Sequence, residues 1–364
     1  MRKHFIDNMR WVTVLLVAVY HLFMMFCTVV PLGAGSFAAV QPQDAVLYLL
    51  YPWFMVLLFV TAGAASYYAL QRCTGREYLR SRTRRLLVPS TVGLLAFQWI
   101  LGLMSMQMSG AFDTIRETVP ESARPVVYAF SAVLSGIGPL WIIQMLWIFS
   151  VLLLLLRKAD RQERLHALGG RVNFPVLLLM MLPIWGAAQI LNTPVITVYR
   201  FGIYGLAFFL GYTVFSHDSV HETLAKYHAP LCVASAVLAA VFTVRYFGEN
   251  FAEQQILCKP LTNAFAWVTV LAVFGLFRAR FDRTNAFASY MTKHSWGLYV
   301  LHYLPLSAAA YLCKRVWALP AVPCYLLTAL CEFGGAWLLY QIIRRIPVLR
   351  WCVLGIRKAD SAAR

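Results

Sequence analysis

The sequence predicts an all-α protein, a polytopic transmembrane helical bundle of about ten spans with both termini in the cytoplasm. Hydrophobic residues make up 60% of the chain and charged residues only 13%, whereas a soluble domain is nearer half apolar and a quarter charged. Many separate apolar stretches are near the length of a helix that crosses a ~30 Å hydrocarbon core. Lys and Arg are also unevenly divided between alternate connections, as the positive-inside rule requires.

Each predicted span is an apolar run bounded by polar or charged residues. The spans are predicted at residues 11–31, 45–70, 86–108, 139–156, 174–190, 199–215, 230–247, 261–277, 290–312 and 321–343.

The orientation follows from the basic residues. With the amino terminus in the cytoplasm, all but seven of the 32 Lys and Arg fall in cytoplasmic segments. The exceptions are Arg116, Arg124, Arg200, Arg245, Lys259, Lys314 and Arg315. The net charge of +17 is therefore mainly a topology signal, so membrane lipid is the expected partner and nucleic acid is not. We expect a multi-pass protein of the cell (inner or plasma) membrane.

The domain organisation is predicted to be simple. Residues 1–344 form one membrane domain, and residues 345–364 form a short basic cytoplasmic tail along the inner leaflet. Residues 1–31 have the order of a signal peptide, but their apolar run is long for one, which favours a retained first helix. The longest outer loop, residues 109–138, is expected to contain a partial or re-entrant helix and to cover or feed a site.

The first span carries the leading candidate for catalysis, His21, eleven residues after Arg10. At roughly 100° per residue, eleven residues make three turns plus about 20°, so the two side chains share a helix face, roughly 16 Å apart along the axis. An ionisable group at bilayer depth is costly and is a functional candidate by default. A neutral imidazole can take a proton from a hydroxyl, so His21 is predicted to be a general base.

A dense basic segment opens the third span. Arg80, Arg82, Arg84 and Arg85 crowd its start, which exceeds what topology alone requires. Arginine forks match phosphate oxygens, so these four residues are predicted to bind a phosphorylated cytosolic donor. The alternative is that they only flank the membrane.

Glu332 lies near the middle of the tenth span and His302 at similar depth in the ninth. A carboxylate at that depth needs a partner or must be protonated. Glu332 is interpreted as functional: it would orient a catalytic group, bind a sugar hydroxyl or pair with an arginine. For His302 a structural role is favoured.

Several other patterns are interpreted as structural. The small residues Thr61–Ser66 favour close helix packing. His217 and His221 have a spacing that could bind a metal, but no third ligand has a matching pattern, so no metal is expected. The eight cysteines show no metal or disulfide spacing and are expected to be small buried hydrophobic residues. The alternative is a bridge between Cys258 and Cys313, the two predicted near the outer face.

In order along the chain, these motifs resemble those of the acyltransferase 3 family, integral membrane acyltransferases that modify glycans, lipids and antibiotics. The matching pieces are Arg10-(ten residues)-His21, Phe59–Tyr67, Arg82–Pro89, Gly138–Trp141 and Ser295–His302. The sequence departs from the family at two places. Thr61-Ala62-Gly63 stands where many members have Ser-Gly, and Pro139 precedes Leu140 where many have His-Leu-Trp.

The resemblance implies an acyl-CoA donor on the cytoplasmic side, with acetyl-CoA expected as the co-substrate. It implies that His21 is catalytic and that Arg10 beside it is essential. It also implies that an Arg-x-Arg element near the third span takes part in the reaction, and Arg80-Ser81-Arg82 and Arg82-Thr83-Arg84 both fit this element. The expected activity is O-acyl transfer to a cell-surface glycan or lipid-linked sugar, with Glu332 assigned to the catalytic set.

Two alternatives remain. Midplane His and Glu side chains in a ten-span protein would also suit a proton-coupled transporter or flippase, although the sequence has no internal repeat. Within the acyltransferases, succinyl transfer is the alternative to acetyl transfer.

Overall fold

A computed structural model describes residues 3–30, 33–193 and 198–357. These residues form helices, and no strand occurs in the part of the chain so described. The all-α prediction is confirmed. Pro31, at the end of the first predicted span, and residues 358–364 of the predicted tail lie outside the described residues.

The amino-terminal half forms α1 (His4–Met24), α2 (Ala45–Leu70), α3 (Gly75–Arg82), α4 (Val88–Gly93), α5 (Trp99–Ser109), α6 (Ala111–Thr118), α7 (Arg124–Ser135) and α8 (Trp141–Ala159). The carboxyl-terminal half forms α9 (Arg164–Gly169), α10 (Phe174–Leu179), α11 (Met181–Ala188), α12 (Phe201–Thr213), α13 (Asp218–Lys226), α14 (His228–Tyr246), α15 (Gln254–Leu257), α16 (Pro260–Arg280), α17 (Ala286–Leu301), α18 (Tyr303–Tyr311), α19 (Ala321–Ile343) and α20 (Pro347–Leu354). Two π-helical turns, Thr83–Leu87 and Leu94–Gln98, join α3, α4 and α5 into one helical run.

Within the described ranges, seven helical segments are long and apolar enough to cross a membrane. They are His4–Met24, Pro42–Leu70, Gly75–Ser109, Gly138–Ala159, His228–Tyr246, Pro260–Arg280 and Ala321–Ile343. The other three predicted spans contain shorter helices, so the multi-pass architecture stands and the count of ten spans stays a prediction.

Two of those three predicted spans are interrupted, and a proline explains each break. A proline nitrogen carries no hydrogen, so the carbonyl four residues earlier loses its helical donor. Pro183 follows Leu179, the last residue of α10, by four positions. Pro305 follows Leu301, the last residue of α17, by the same distance. The second break leaves His302 between α17 and α18.

The contacts divide the chain into two compact units, each described by itself. The first comprises Met1–Leu16, Ala45–Arg82 and Met145–Thr292. Its centre is formed by α2, α12, α14 and α16, which pack side by side. The largest buried side chains there include Phe54, Phe59, Phe208 and Trp267. The amide of Asn8 donates to the carbonyls of Phe281 and Arg283, each at 2.7 Å, and so ties the start of α1 to the end of α16.

Helices α2 and α12 cross at two glycines. A Cβ atom on Gly63 would lie 1.9 Å from the carbonyl oxygen of Phe208, and one on Gly211 would lie 2.1 Å from that of Val60. Neither distance leaves room for a side chain, so the helices meet backbone to backbone. The prediction that the small residues of span two serve close packing is confirmed.

The second unit comprises Val17–Asp44, Thr83–Gln144 and Lys293–Arg364. In it α18 packs against α19 and α5, and α20 packs against α4. The predicted helix in the long outer loop is present as α6 and α7. Helix α7 lies directly on α5, since a Cβ atom on Gly102 would stand 1.7 Å from the carbonyl oxygen of Ala132.

Candidate active site

His21 occupies the last turn of α1 and belongs to the second unit. Its side chain is buried, with 9% of its surface exposed. Arg10, on the same unbroken helix but in the first unit, is exposed. His21 is therefore enclosed by protein side chains, and Arg10 is accessible at the surface of the protein.

The nearest polar partner of His21 is a second histidine. Nδ1 of His21 and Nε2 of His302 are 3.1 Å apart, a hydrogen-bond distance. The ring of Tyr303 stands edge-on to His21, with ring centroids 4.8 Å apart. Sequence reasoning favoured a structural role for His302 and did not single out Tyr303. The available signal was the place of His302 at the end of Ser295–His302, one of the family-like stretches, with Tyr303 as the next residue and the proline that breaks the span, Pro305, two positions further on.

The other side of the His302 ring meets the main chain. Its Nδ1 lies 2.9 Å from the carbonyl oxygen of Tyr299 and 3.2 Å from that of Leu298. Both carbonyls belong to the last turn of α17, the end of the helix that carries partial negative charge. The carbonyl of Leu298 also accepts from the backbone N–H of His302 at 2.9 Å. His302 is 1% exposed. The helix end therefore fixes the orientation of the His302 ring, which in turn contacts His21.

Glu332 lies on α19 and is fully buried. Within the described part of the chain, neither carboxyl oxygen has a hydrogen-bond partner, and the hydroxyl of Ser307 is also buried without one. Of the three roles foreseen for Glu332, pairing with an arginine is not found among these residues.

The basic segment divides between the two units. In the first, Arg80 is exposed and Arg82 is half-buried. Arg82 donates from Nη2 to the hydroxyl of Ser66 at 3.1 Å, and its guanidinium lies 5.0 Å from the ring centre of Tyr78. Tyr78 donates to the same Ser66 oxygen at 2.9 Å. Arg82 is therefore held in place by neighbours that sequence reasoning did not identify.

In the second unit, Arg84 and Arg85 lie in the π-helical turn Thr83–Leu87, and both are half-buried. Turns of this kind are rare and occur often at functional sites. Gly355, which follows α20, packs on the turn: its Cβ atom would be 2.2 Å from the carbonyl oxygen of Arg84. Part of the predicted tail is thus a helix whose end is packed beside these arginines.

The pair His217 and His221 makes structural contacts. His217 Nε2 donates to the carbonyl of His166 at 2.9 Å, and His221 Nε2 donates to that of Phe215 at 2.7 Å. Burial lowers the pKa of His221. Burial, and then the neighbouring His217, lower the pKa of His166. A hydrogen bond from Lys3 lowers the pKa of Asp218. No group of metal-ligating side chains occurs in the residues described.

All eight cysteines are free thiols. Cys27, Cys313, Cys324 and Cys352 are buried as predicted, whereas Cys331 is exposed and the other three are half-buried.

Comparison with known proteins gives one match. A family model described as an acyltransferase domain covers residues 3–341, nearly the whole chain. No curated protein and no solved structure matches the sequence at a significant level.

Proposed function

The chain belongs to the acyltransferase 3 family, and from that premise we propose that it carries an acyl group, acetyl in the simplest case, from cytosolic acyl-CoA to a sugar hydroxyl. The proposed acceptor is a cell-surface glycan or a lipid-linked sugar, and the proposed location is the cell membrane. The family and the apolar helices make the protein a multi-pass membrane acyltransferase. The donor, the acceptor and the roles of individual residues are the proposal.

The observation that carries the proposal is the pair of buried imidazoles, His21 and His302. A general base must hold a free lone pair within reach of the hydroxyl proton, in an orientation fixed before the substrate arrives. His21 is buried on a long helix and hydrogen-bonded on one ring nitrogen. The other ring nitrogen is proposed to face the substrate.

The chemistry then needs one base. His21 accepts the proton of the sugar hydroxyl as the oxygen attacks the acyl carbon of the thioester. The resulting tetrahedral intermediate collapses, the carbon–sulfur bond breaks, and His21 returns the proton to the departing thiolate. A positioned base contributes about 10²–10⁴-fold to such a reaction, and positioning of the two substrates contributes the remainder. Direct transfer of this kind requires no acyl-enzyme intermediate.

The arginines are proposed to bind the donor. Guanidinium groups bind phosphate oxygens through paired N–H donors, and coenzyme A carries several phosphates. Arg80 is exposed, and Arg82, Arg84 and Arg85 are half-buried, so each retains accessible surface. Arg10 is exposed on α1, and its proposed role is to attract the anionic donor.

Glu332 is proposed to bind the acceptor sugar. Burying a carboxyl group without a hydrogen bond is costly, and both of its oxygens are buried without a partner in the described residues. A sugar hydroxyl could donate to one of these oxygens. This role requires no arginine beside it.

The test uses membranes from cells that express the protein, supplied with radiolabelled acetyl-CoA. Mass spectrometry of surface glycans, with and without the protein, identifies the acceptor. We expect His21→Ala to abolish transfer of label, while Glu332→Gln mainly raises the Michaelis constant for the acceptor. Transfer by His21→Ala at the wild-type rate would refute the role of the base.

A proton-coupled transporter or flippase remains the alternative class, because buried His and Glu side chains also suit proton relays. Acetyl-CoA added to the detergent-purified protein separates the two. A ligand that binds only the folded state raises its thermal stability, so an acyltransferase should be stabilised and a transporter of an unrelated solute should not. Succinyl-CoA in the same assay distinguishes the two acyl donors.

A further inference from the structure

We propose that His302 is a positioning residue that fixes the tautomer of His21, so that Nε2 of His21 is the atom that accepts the proton. This inference rests on the proposed function of His21 as a base. The observation behind it is a continuous set of contacts that runs from two backbone carbonyls, through the His302 ring, to the His21 ring.

The carbonyls determine the tautomer of His302. A carbonyl oxygen can only accept a hydrogen bond. Since Nδ1 of His302 lies 2.9 Å from the carbonyl oxygen of Tyr299, that nitrogen must carry the hydrogen. His302 is 1% exposed, and a buried charge without a counter-ion is costly, so the ring is neutral. Its Nε2 therefore holds a lone pair.

The tautomer of His302 then determines that of His21. Nε2 of His302 can only accept, so Nδ1 of His21, 3.1 Å away, must donate. A neutral imidazole has one N–H, which leaves a lone pair on Nε2 of His21. The His21 ring also contacts the backbone of Val17, one turn earlier on α1; a carbonyl at that spacing faces Nδ1, as the Leu298 carbonyl faces Nδ1 of His302, and an N–H on Nδ1 suits this contact as well. His21 also keeps 9% of its surface exposed, against 1% for His302.

The same contacts favour the charged form that His21 takes during the reaction. When Nε2 has accepted a proton, the Nδ1–H of the imidazolium donates to His302 as a charge-assisted hydrogen bond, which is stronger than a neutral one. His302 donates onward to carbonyls at the end of α17, where the helix dipole is negative. The arrangement resembles a base oriented by a third group, with a neutral imidazole and a helix end in place of a carboxylate.

Two substitutions at residue 302 separate positioning from packing. The end group of glutamine lies near the position of Nε2, so His302→Gln can still accept a hydrogen bond from His21. The end group of asparagine lies near Nδ1, so His302→Asn keeps the contact with the carbonyls and loses the one with His21. Both variants are polar and smaller than histidine, and each serves as a control for the other.

The assay is acetyl transfer from labelled acetyl-CoA by the full-length protein, with thermal unfolding measured in parallel. We expect His302→Gln to stay within about threefold of the wild-type kcat. We expect His302→Asn to lose roughly 10²-fold in kcat with little change in the Michaelis constant for acetyl-CoA, because loss of a base-orienting partner acts on the chemical step. Equal activity of the two folded variants, high or low, would overturn the inference.

A spectroscopic measurement tests the tautomers without relying on activity. The chain has eight histidines, and ¹⁵N-histidine labelling with single-residue variants assigns the two signals. We expect the Nδ1–H tautomer for both His21 and His302. An Nε2–H on His21 would overturn the inference even in an active enzyme. Conversely, an Nδ1–H on His21 in a protein that transfers no acyl group would leave the positioning intact and refute the proposed function.

Discussion

Replacing Gly63 with alanine places a methyl group where the backbone of α12 crosses α2. The new Cβ atom would lie 1.9 Å from the carbonyl oxygen of Phe208, and Cβ contacts below 3.0 Å are essentially never found. The two helices must therefore separate by about 1.1 Å at this crossing. Neither side can relieve the clash by changing a rotamer, because one partner is main chain.

The energetic consequence follows from the packing lost. A gap of about 0.5–1 Å removes a quarter to a half of the attraction between the atoms that line it, and overpacking typically costs about 1–3 kcal/mol. Because the helix pair is long, we expect Gly63→Ala to lower the free energy of unfolding by about 3 kcal/mol. With an unfolding entropy of about 2.1 cal/mol/K per residue, the corresponding fall in Tm for a chain of 364 residues is roughly 4 °C.

The assay is thermal unfolding in detergent at a fixed scan rate, with Gly186→Ala as the matched control. Gly186 lies inside α11 of the same unit, and nothing stands within 4 Å of its Cβ position. There alanine should be neutral or stabilise by up to about 1 kcal/mol, because it favours helix more than glycine does. If Gly63→Ala unfolded at the wild-type temperature, the α2–α12 crossing described above would be wrong.

The double variant Gly63→Ala/Gly211→Ala sharpens the test. Residue 211 would place its Cβ atom 2.1 Å from the carbonyl oxygen of Val60, across the same helix pair. One separation of the helices relieves both clashes. The double variant should therefore lose less stability than the two single losses added together.

The remaining predictions concern donor binding and acid sensitivity. Arg84→Gln should raise the Michaelis constant for acetyl-CoA roughly tenfold, the equivalent of one lost charge-assisted contact. The control is Arg116→Gln, at an exposed site in α6. A change confined to the Michaelis constant for the acceptor would contradict the proposal that Arg84 binds the donor. Because burial lowers the pKa of His221, the folded state keeps this ring neutral while the unfolded chain takes up a proton below about pH 6.5. The stability that the neutral His221 ring contributes is fully present above about pH 6.5 and is lost as the pH falls below it. The drop in Tm from pH 7.5 to pH 5.5 should therefore be smaller in His221→Gln than in the wild type. An equal drop in the two proteins would refute the assignment to His221.

Hydropathy alone predicted the longest helices well. The predicted spans 45–70 and 321–343 coincide with α2 and α19, because a lipid-crossing helix needs an apolar run whose length the bilayer sets. Two spans that the sequence joined are divided after Leu179 and Leu301, each four residues before a proline. Proline position alone would not have sufficed, since Pro52 lies inside α2 without ending it.

The candidate site was predictable in part. His21 could be identified from the cost of an ionisable group in an apolar span. His302 lies 281 positions further along the chain, and nothing local to either residue indicates that the two rings meet. The partner of Arg82, Ser66, is likewise on another helix, α2. Sequence spacing predicts which residues share a helix face, whereas contacts between helices depend on how the whole unit packs.

The way the carboxyl-terminal helix is seated has a practical consequence for protein engineering. A Cβ atom on Gly93 would lie 2.6 Å from the carbonyl oxygen of Cys352, and Gly355 adopts a φ of 64° beside the backbone of Arg84. A truncation at residue 346 would remove α20, whose backbone packs directly against the backbone of α4 and of the π-helical turn that precedes α4. Reporter fusions and affinity tags should therefore be joined after Gly355, so that this packed helix end is kept.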